Sequence, residues 1–527
     1  MWLEPGMRRR RGLRRVVPPV VAVLALVVVA GAVAYVVLAG RHPDRGRAVA
    51  QQFVNAWARG DRGAMRSLLD DDTQRAYPLK RFVATYEAAE RAATVTGVRV
   101  GDVPKPRGGR VVVPVAVRTR TFGTLRGTVA LPVVDAGDSA RIQWRPYLRL
   151  PGLRRGETVR RRVLRRPRRA SVLAADGRRL AGTPATGALV SGLRRRFTVR
   201  LNGRPGAELR FGDRVVKRVP IHRARNVHAT IRRGLQRAAV SALGSRLGGV
   251  AVLRPSDGSV LALAGLAVSA PQPPGSTFKI VTLSAALQAG IAKPSSSYPV
   301  RTFATLSGVR LRNASDESCG GSLANAFAVS CNSVFAPLGA KLGARRLVRA
   351  AQAFGFNEPP RVPAAKVSRI SPPSRLRDAL AVGASAIGQD RDLATPLQMA
   401  SVAAAIGEGG VRAKPRVVRS DPVIRRRVVP SRVAGQVRTM MIGVVRGGTG
   451  TAAQVPGVQV AGKTGTAELR PTAGGPPDPR NTDAWFVAFA PAGNPRYAVA
   501  VMLVGAGAGG AAAAPIARSV LSAALGR

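Results

Sequence analysis

The pattern of apolar and polar residues begins with a continuous apolar run at residues 16–39, which contains no charged side chain. A helix of these 24 residues would extend about 36 Å, enough to cross a hydrocarbon core of about 30 Å. Six arginines precede the run, against Arg41 and Arg45 just after it. This bias predicts a cytoplasmic basic tail at 1–15, a single-pass cell-membrane anchor at 16–39 and an extracytoplasmic remainder.

A cleaved signal peptide is the alternative to an anchor, because Ala32-Val33-Ala34 matches a small-x-small cleavage pattern. That match is embedded in the apolar run, which continues to Ala39 and is longer than a usual signal core. We therefore favour the uncleaved anchor. Both alternatives place the rest of the chain outside the cytoplasm.

Beyond the run, the pattern becomes amphipathic. Within residues 45–69, Phe53 and Trp57 belong to a set of apolar positions at helical spacing, and Gly60 ends the first helix. Three strand-like runs follow at residues 110–119, 124–134 and 140–148. A helix pair followed by a small antiparallel sheet predicts an α+β domain at 45–150.

Arginine is dense in residues 151–225, where short strand-like pieces alternate with glycine and proline. We interpret this segment as a small β-rich connecting domain. From Thr230 onward, a helical pattern is followed by a hairpin pattern that turns at 256–258. These elements open the largest domain, at 226–527, so the chain is predicted to be a multidomain α+β protein.

Candidate chemistry first appears at Ser276 and Lys279, in the segment PPGSTFK that precedes an apolar helical run. Proline and glycine before a helix place the serine in its first turn. At a spacing of three residues, the two side chains lie on one helix face, so that the amine can reach the hydroxyl. A serine nucleophile needs such an adjacent base, and a helix N-terminus favours developing negative charge.

Two further polar motifs follow, Ser330-Cys331-Asn332 and Lys463-Thr464-Gly465-Thr466. The first ends a helix-like segment, and the second lies between the strand-like segments VQVAG and AWFVAFA. A glycine in an edge strand lets a substrate backbone approach closely, and a lysine beside hydroxyls suits recognition of a carboxylate. Each motif is weak alone, but their order and spacing make the combination specific.

Together, Ser-x-x-Lys, Ser-x-Asn and Lys-Thr-Gly resemble the penicillin-recognising serine acyltransferases. The segments AVSCNSVFA, AIGQDRDLATPLQMA, GGTGTAA and AGKTGTAE look like the class B penicillin-binding proteins in particular, over residues 225–527. The earlier helix pair, sheet and WRPYLRLPGLRRGE are similar to the nuclear-transport-factor-like (NTF2-like, MecA-type) extension of some of these proteins. The resemblance implies this extension, a connecting (pedestal) domain, and a β-lactamase-like transpeptidase domain whose antiparallel sheet is flanked by helices.

The resemblance implies a peptidoglycan D,D-transpeptidase that is acylated by penicillins. Ser276 would attack the peptide bond between two terminal D-alanines, Lys279 would act as base with a pKa lowered by burial and by Lys463, and Ser330 would relay a proton. The substrate-binding residues would be Asn332, Lys463, Thr464, Gly465 and Thr466. Backbone N–H groups of Ser276 and Thr466 would form the oxyanion hole.

The formal charge of +57 at pH 7 raises the question of nucleic acid binding. The extracytoplasmic placement removes that partner, and the basic residues occur in every segment without a single aromatic and basic patch. A composition bias is the simpler interpretation. Attraction to anionic lipid and acidic wall polymers is the functional one.

Cysteines and histidines are few. Cys319 and Cys331 flank the second motif, and the sequence leaves open whether they form a disulfide or remain two thiols. All three histidines precede residue 230, at positions unsuited to zinc or to a Ser-His-Asp triad. We expect no metal site and no cofactor.

The alternatives with the same acylation chemistry are a D,D-carboxypeptidase and a serine β-lactamase, and a non-catalytic penicillin-binding receptor or wall-synthesis scaffold is a third. The long chain and the anchor favour the transpeptidase. Residues 40–225 are too few and too divided for a glycosyltransferase domain. The expected partners are peptidoglycan stem peptides, penicillins and other β-lactams, the cytoplasmic membrane, and a separate membrane glycan polymerase within a division or elongation complex.

Overall fold

A computed structural model of the protein describes residues 45–137, 139–180, 182, 186–469 and 478–527. The described chain forms two compact units. The first contains residues up to Pro167 and Arg204–His222, and the second contains Arg168–Gly203 and Arg223–Arg527. The predicted basic tail and anchor lie outside the described residues. Among the described residues, no helix is both long enough and apolar enough to cross a membrane.

The helices are α1 Arg45–Arg59, α2 Arg62–Ser67, α3 Asp71–Ala76, α4 Leu79–Ala93, α5 Gly187–Arg196, α6 Thr198–Asn202, α7 Arg233–Leu243, α8 Lys279–Gln288, α9 Leu323–Ala328, α10 Asn332–Leu342, α11 Ala344–Ala353, α12 Ala379–Ala386, α13 Pro396–Gly407, α14 Ser431–Gly447 and α15 Gly509–Leu525.

The strands are β1 Val95–Val100, β2 Arg110–Thr119, β3 Gly123–Ala136, β4 Ser139–Ile142, β5 Val159–Val163, β6 Val172–Leu173, β7 Ala207–Phe211, β8 Arg214–Val219, β9 Val227–His228, β10 Gly248–Leu253, β11 Val260–Gly265, β12 Ser297–Arg301, β13 Phe303–Leu306, β14 Val309–Arg312, β15 Cys319–Ser322, β16 Val411–Ala413, β17 Arg425–Arg427, β18 Ala461–Glu468, β19 Thr482–Ala490 and β20 Tyr497–Leu503.

The first unit pairs α1–α4 with an antiparallel sheet of order β1-β2-β3-β4 and adds a second sheet of order β5-β7-β8. Strand β2 alternates buried and exposed positions along most of its length, as expected of a strand with one face on a core. Asp61 and Asp70 cap α2 and α3 by accepting backbone N–H bonds. The sequence analysis missed α3 and α4, and it extended the last strand to 148, where Pro146–Arg149 form a 3-10 turn.

Buried aromatic residues hold the core of the first unit. Trp144 and Tyr86 are fully buried, and Trp144 Nε1 donates a 3.0 Å hydrogen bond to Tyr86 Oη. Phe82 packs edge-on against Trp144 with ring centroids 4.8 Å apart. The indole N–H therefore has its acceptor inside an otherwise apolar cluster.

The second unit is organised by a five-stranded antiparallel sheet of order β11-β10-β20-β19-β18. All residues of β19 and β20 are buried. Along β20, Ala500 and Met502 face one hydrophobic cluster, and Val499 and Val501 face the other. Because side chains alternate across a strand, each central strand serves two cores. The predicted antiparallel sheet flanked by helices is confirmed.

The region of the predicted connecting domain at 151–225 is divided between the units, because 168–203 group with the second unit. This segment contains α5 and α6, which the sequence analysis did not predict. The boundary between 151–225 and 226–527 remains a prediction.

Replacing Tyr86 with phenylalanine should lower the free energy of unfolding of the first unit by about 1–3 kcal/mol, since the buried Trp144 N–H loses its acceptor. Tyr77→Phe is the matched control, because Tyr77 contacts Trp144 only through its ring. Urea unfolding followed by tryptophan fluorescence measures both variants. Equal destabilisation by the two would contradict the role of the Tyr86 hydroxyl.

Candidate active site

Ser276 lies in a 3-10 turn, Gly275–Phe278, that leads directly into α8. Gly275 has a positive φ of 50°, and its N–H donates a 3.0 Å hydrogen bond to Gly388 O. Gly388 also has a positive φ, and a Cβ there would collide with the backbone of Gly275. The segment around Gly388 therefore supports the serine turn through backbone contact. Within the described chain, Ser276 Oγ has no hydrogen-bond partner, so the hydroxyl is available.

Ser330 lies between α9 and α10 with φ at +65°, a left-handed conformation that is uncommon for a residue with a side chain. Its N–H donates to Phe327 O at 3.2 Å, and the next N–H, of Cys331, donates to Ala326 O at 2.8 Å. Cys331 is joined to Cys319 in a disulfide. These bonds hold a tight turn that directs the Ser330 hydroxyl away from both helices.

The side chain of Lys279 is fully buried and points to the second motif. Lys279 Nζ donates to Ser330 O at 2.6 Å and to Asn332 Oδ1 at 2.7 Å, and it lies 3.4 Å from Ser330 Oγ. Burial, and then the charge of Lys463, lower the pKa of Lys279 well below its usual range. Within the described chain no hydrogen bond joins Lys279 Nζ to Ser276 Oγ, so the predicted contact between amine and hydroxyl is not made in this structure. A neutral amine directly after the serine turn has the chemistry of a general base.

Lys463, on β18, is also fully buried. Its Nζ donates to Ser330 Oγ at 2.8 Å and to Thr464 O at 3.1 Å. Burial lowers the pKa of Lys463 to about 7. The Ser330 hydroxyl thus lies between two amines whose pKa values are both depressed, an arrangement that can pass a proton from one to the other.

Strand β18 carries the rest of the third motif at the edge of the sheet. The strand contains the motif from its third residue onward, whereas the sequence analysis placed a strand before it. A Cβ at Gly465 would lie 2.9 Å from Pro274 O, Thr277 Cγ2 and Trp485 Cβ. Glycine is therefore required for β18 to lie against the Ser276 turn.

The structure brings Lys279, Ser330, Asn332 and Lys463 into one hydrogen-bonded cluster. Since side chains alternate along a strand, Thr464 and Thr466 point away from Lys463. Thr464 Oγ1 lies 2.6 Å from Thr449 Oγ1, and Thr466 Oγ1 accepts a 3.4 Å bond from Gly509 N. The amide of Asn332, predicted to hold substrate, is occupied on both sides, because its Nδ2 donates to Arg312 O at 2.9 Å.

The sequence analysis assigned no role to two polar pairs that support the cluster. Buried Asn313 accepts from Ser333 N at 2.8 Å and donates to Arg301 O and Glu317 O. Thr449 comes from the segment GGTGTAA, which the sequence analysis quoted without choosing a residue. Local spacing does not reveal these interactions. Asn313 and Ser333 are 20 residues apart in the sequence, and Thr449 and Thr464 are 15 residues apart.

A third missed pair lies in the segment AIGQDRDLATPLQMA. Ser385 Oγ donates a 2.6 Å hydrogen bond to Asp392 Oδ2, and both side chains are fully buried. Asp392 Oδ1 has no hydrogen-bond partner among the described residues. Burial raises the pKa of Asp392 to about 7, against the smaller effects of Ser385 and of the Ser371 backbone. The pair closes the loop that supports the serine turn.

Comparison with known proteins agrees with this geometry. The family model described as the penicillin binding protein transpeptidase domain matches residues 248–522, just over half of the chain. The model described as the NTF2-like N-terminal transpeptidase domain matches residues 46–157.

Individual relatives are similar over much of the chain. Peptidoglycan D,D-transpeptidase PbpA of Mycolicibacterium smegmatis is 37% identical over 405 residues, which cover 64% of this chain and 79% of that protein. PbpA of Mycobacterium tuberculosis is 38% identical over 296 residues, covering 52% of this chain and 59% of that protein. The solved penicillin G acyl-enzyme complex of penicillin-binding protein A from M. tuberculosis has a TM-score of 0.58 and 31% identity, covering 68% of this chain and all of that chain.

Asp392→Asn should raise stability more at pH 8 than at pH 4.5. An unfolded aspartic acid ionises near pH 3.9, whereas the pKa of Asp392 in the folded protein is about 7. The stability associated with the neutral carboxyl is complete below about pH 4 and is lost as the pH rises to about 7. The gain of the variant over wild type should grow by roughly 2–4 kcal/mol across this interval.

Urea unfolding at several pH values measures this gain. Glu317→Gln is the control, because Glu317 is an exposed carboxylate of the same unit that is not among the causes of the raised pKa of Asp392. A gain that is independent of pH in Asp392→Asn, or the same pH dependence in Glu317→Gln, would contradict a neutral buried carboxyl.

Proposed function

The chain belongs to the penicillin-binding protein transpeptidase family, and we propose that it cross-links peptidoglycan stem peptides through an acyl-enzyme on Ser276. The observation that carries this proposal is the position of Ser330 between two buried lysines, beside a serine turn whose hydroxyl is free. Its relatives are named peptidoglycan D,D-transpeptidases, and one solved relative carries penicillin G as an acyl-enzyme. Penicillins and other β-lactams are therefore expected to acylate Ser276.

In the acylation step, Ser276 Oγ attacks the carbonyl carbon of the peptide bond between two terminal D-alanines. Neutral Lys279 accepts the hydroxyl proton, and the N–H groups of Ser276 and Thr466 stabilise the oxyanion of the tetrahedral intermediate. The C–N bond then breaks as Ser330 gives a proton to the leaving amine. Ser330 regains a proton from a neighbouring ammonium group, and free D-alanine departs.

In the second step, the amine of a neighbouring stem peptide attacks the ester carbonyl of the acyl-enzyme. The new amide bond forms, the ester C–O bond breaks, and Ser276 recovers its proton through Lys279. The proton lost by the attacking amine follows the same path through Ser330. The enzyme returns to its starting state, and two stem peptides are cross-linked.

The third motif, Lys463-Thr464-Gly465-Thr466, would recognise the terminal carboxylate of the stem peptide. The hydroxyls of Thr464 and Thr466, which lie on one side of β18, would hold the carboxylate, and Lys463 on the other side would attract it through its charge. A bound carboxylate stabilises the ammonium form of Lys463, which in turn favours the neutral form of Lys279. To position the substrate amide next to Lys279, Asn332 would exchange its present hydrogen bond to Arg312 O for one to the substrate. Substrate binding would thus favour the neutral form of Lys279, which accepts the proton.

The placement of this chemistry follows from the N-terminal segment. We propose that residues 16–39 anchor the protein in the cytoplasmic membrane with the tail at 1–15 inside. The NTF2-like extension at 45–150, the connecting domain at 151–225 and the transpeptidase domain at 226–527 would then lie outside. A separate membrane glycan polymerase, in a division or elongation complex, would supply the strands that are cross-linked.

Incubation with a labelled penicillin, followed by intact mass, should show one adduct that persists for hours on the wild-type protein and is absent from Ser276→Ala. Ser284→Ala is the matched control, because Ser284 lies on the same helix and its hydroxyl bonds to Ile280 O. An adduct that clears within seconds would instead indicate a β-lactamase. The absence of any adduct on wild type would favour the scaffold alternative.

Penicillin acylation should slow at acidic pH, because the depressed pKa of Lys279 makes its neutral form the active one and acid protonates it. Lys463→Met removes the neighbouring positive charge, so the pKa of Lys279 should rise and the acid limb should move to higher pH. Stopped-flow acylation rates across pH 5–9 measure the limb. Lys414→Met is the control, because it removes a lysine that pairs with Glu358, and it should leave the acid limb of the acylation rate in place. An acid limb that does not move in Lys463→Met would contradict the electrostatic coupling between Lys463 and Lys279.

A further inference from the structure

The first unit contains a local excess of arginine that composition does not explain. Seven of the thirteen residues 154–166 are arginine, whereas the whole chain has 84 lysines and arginines in 527 residues. All seven are exposed. A uniform bias towards arginine would place about two basic residues in such a segment, so this segment needs its own explanation.

Strand β5 lies in the middle of the segment and at the edge of the sheet of order β5-β7-β8. In the register of this sheet, Arg160 lies opposite Arg210, and Arg162 lies opposite Glu208, which is itself opposite Arg218. These positions share one face of the sheet. We call Arg160, Arg162, Glu208, Arg210 and Arg218 the arginine face.

The single carboxylate of this face is already occupied. Glu208 is buried and accepts from Arg210 at 3.1 Å and from Arg218 at 2.6 Å. Among the described residues, the side chains of Arg160 and Arg162 have no ion pair and no hydrogen bond. The face therefore presents two unpaired guanidinium groups beside a satisfied cluster.

The arrangement also includes a repulsive pair, because Arg160 is directly opposite Arg210. Like charges directly opposite each other across a sheet are destabilising. Charged side chains on an edge strand protect against edge-to-edge aggregation, but that protection does not require arginines to face each other. A bound anion would relieve the repulsion.

We propose that the arginine face binds a flexible polymer of phosphate groups outside the membrane. Guanidinium groups match phosphate through paired N–H donors better than ammonium groups do. Arg160 and Arg162 lie about 7 Å apart along the strand, at about 3.3 Å per residue, and the exposed Arg165 and Arg166 follow shortly after the strand ends. A linear row suits a linear polyanion.

A lipid surface fits the arginine face less well. Surfaces that bind bilayers combine basic residues with apolar side chains that enter the headgroup region. Val215 lies exposed opposite Arg210, but one short apolar side chain beside the five charged positions gives little to insert into a headgroup region.

The test uses the full chain in detergent micelles and a fluorescently labelled long-chain inorganic polyphosphate. Arg160→Gln/Arg162→Gln should raise the Kd about tenfold and reduce the slope of log Kd against log salt by roughly two, one for each lost phosphate contact. Arg210 and Arg218 are left unchanged, since their loss would strand the buried Glu208.

The matched control is Arg99→Gln/Arg126→Gln, which removes the same charge from exposed, unpaired arginines of the other sheet of this unit. The control should change the Kd less than twofold. If the two double variants lost the same affinity for polyphosphate, the effect would come from net charge alone, and the proposal would be overturned. Absence of polyphosphate binding by wild type would overturn it as well.

A second arm uses vesicles of phosphatidylglycerol with the same variants. A loss of vesicle binding in Arg160→Gln/Arg162→Gln that equals or exceeds its loss of polyphosphate binding would reassign the face to lipid and overturn the polymer. Penicillin acylation of Ser276 should remain unchanged in both double variants. Failure of acylation in wild type would contradict the proposed function and leave the binding result intact.

Discussion

Two lysine side chains, buried on either side of one serine hydroxyl, are the constraint on which the site depends. No carboxylate within the described chain pairs with Lys279 or Lys463, and removing an unpaired charge from water costs several kcal/mol. The groups respond by lowering their pKa values, and Ser330 and Asn332 supply acceptors. The rings of Phe335 and Phe327 lie 5.6 and 5.5 Å from the two nitrogens, where a charged form is still favoured. The fold thus holds Lys463 near the balance between its charged and neutral forms and favours the neutral form of Lys279.

Close backbone packing holds the elements of the site at fixed positions relative to one another. Strand β18 meets the serine turn where Gly465 leaves no room for a side chain, and the loop around Gly388 meets the same turn from another direction. The left-handed turn at Ser330 is fixed by its neighbouring backbone bonds and by the Cys319–Cys331 disulfide. Three separate elements therefore converge with little freedom, which is what proton transfer over hydrogen-bond distances requires.

The sequence predicted the motifs and the transpeptidase sheet because both are encoded locally. The valine-rich run of β2 and the apolar run of β19 both predict strands, although β2 buries one face and β19 buries two, a difference that their sequences do not reveal. Helix α3 was missed because polar and charged residues dominate its sequence. Helix α4 was overlooked although Phe82, Tyr86 and Ala89 form a buried face at helical spacing. The Ser385–Asp392 pair and the acceptors of Asn332 depend on contacts that the fold creates. The spacing of the motifs could predict which residues come together, but not which of their atoms form the hydrogen bonds.

The choice between lysine and arginine connects the composition of the chain to its chemistry. Only nine of the 84 basic residues are lysine, yet Lys279 and Lys463 are the fully buried ones of the described chain. Arginine stays charged at any pH that proteins meet, whereas a buried lysine loses its proton readily. On exposed surfaces, where a permanent charge is tolerated or useful, arginine can replace lysine freely. At a site whose base must be neutral for part of each cycle it cannot, so lysine persists there against the strong bias of the chain.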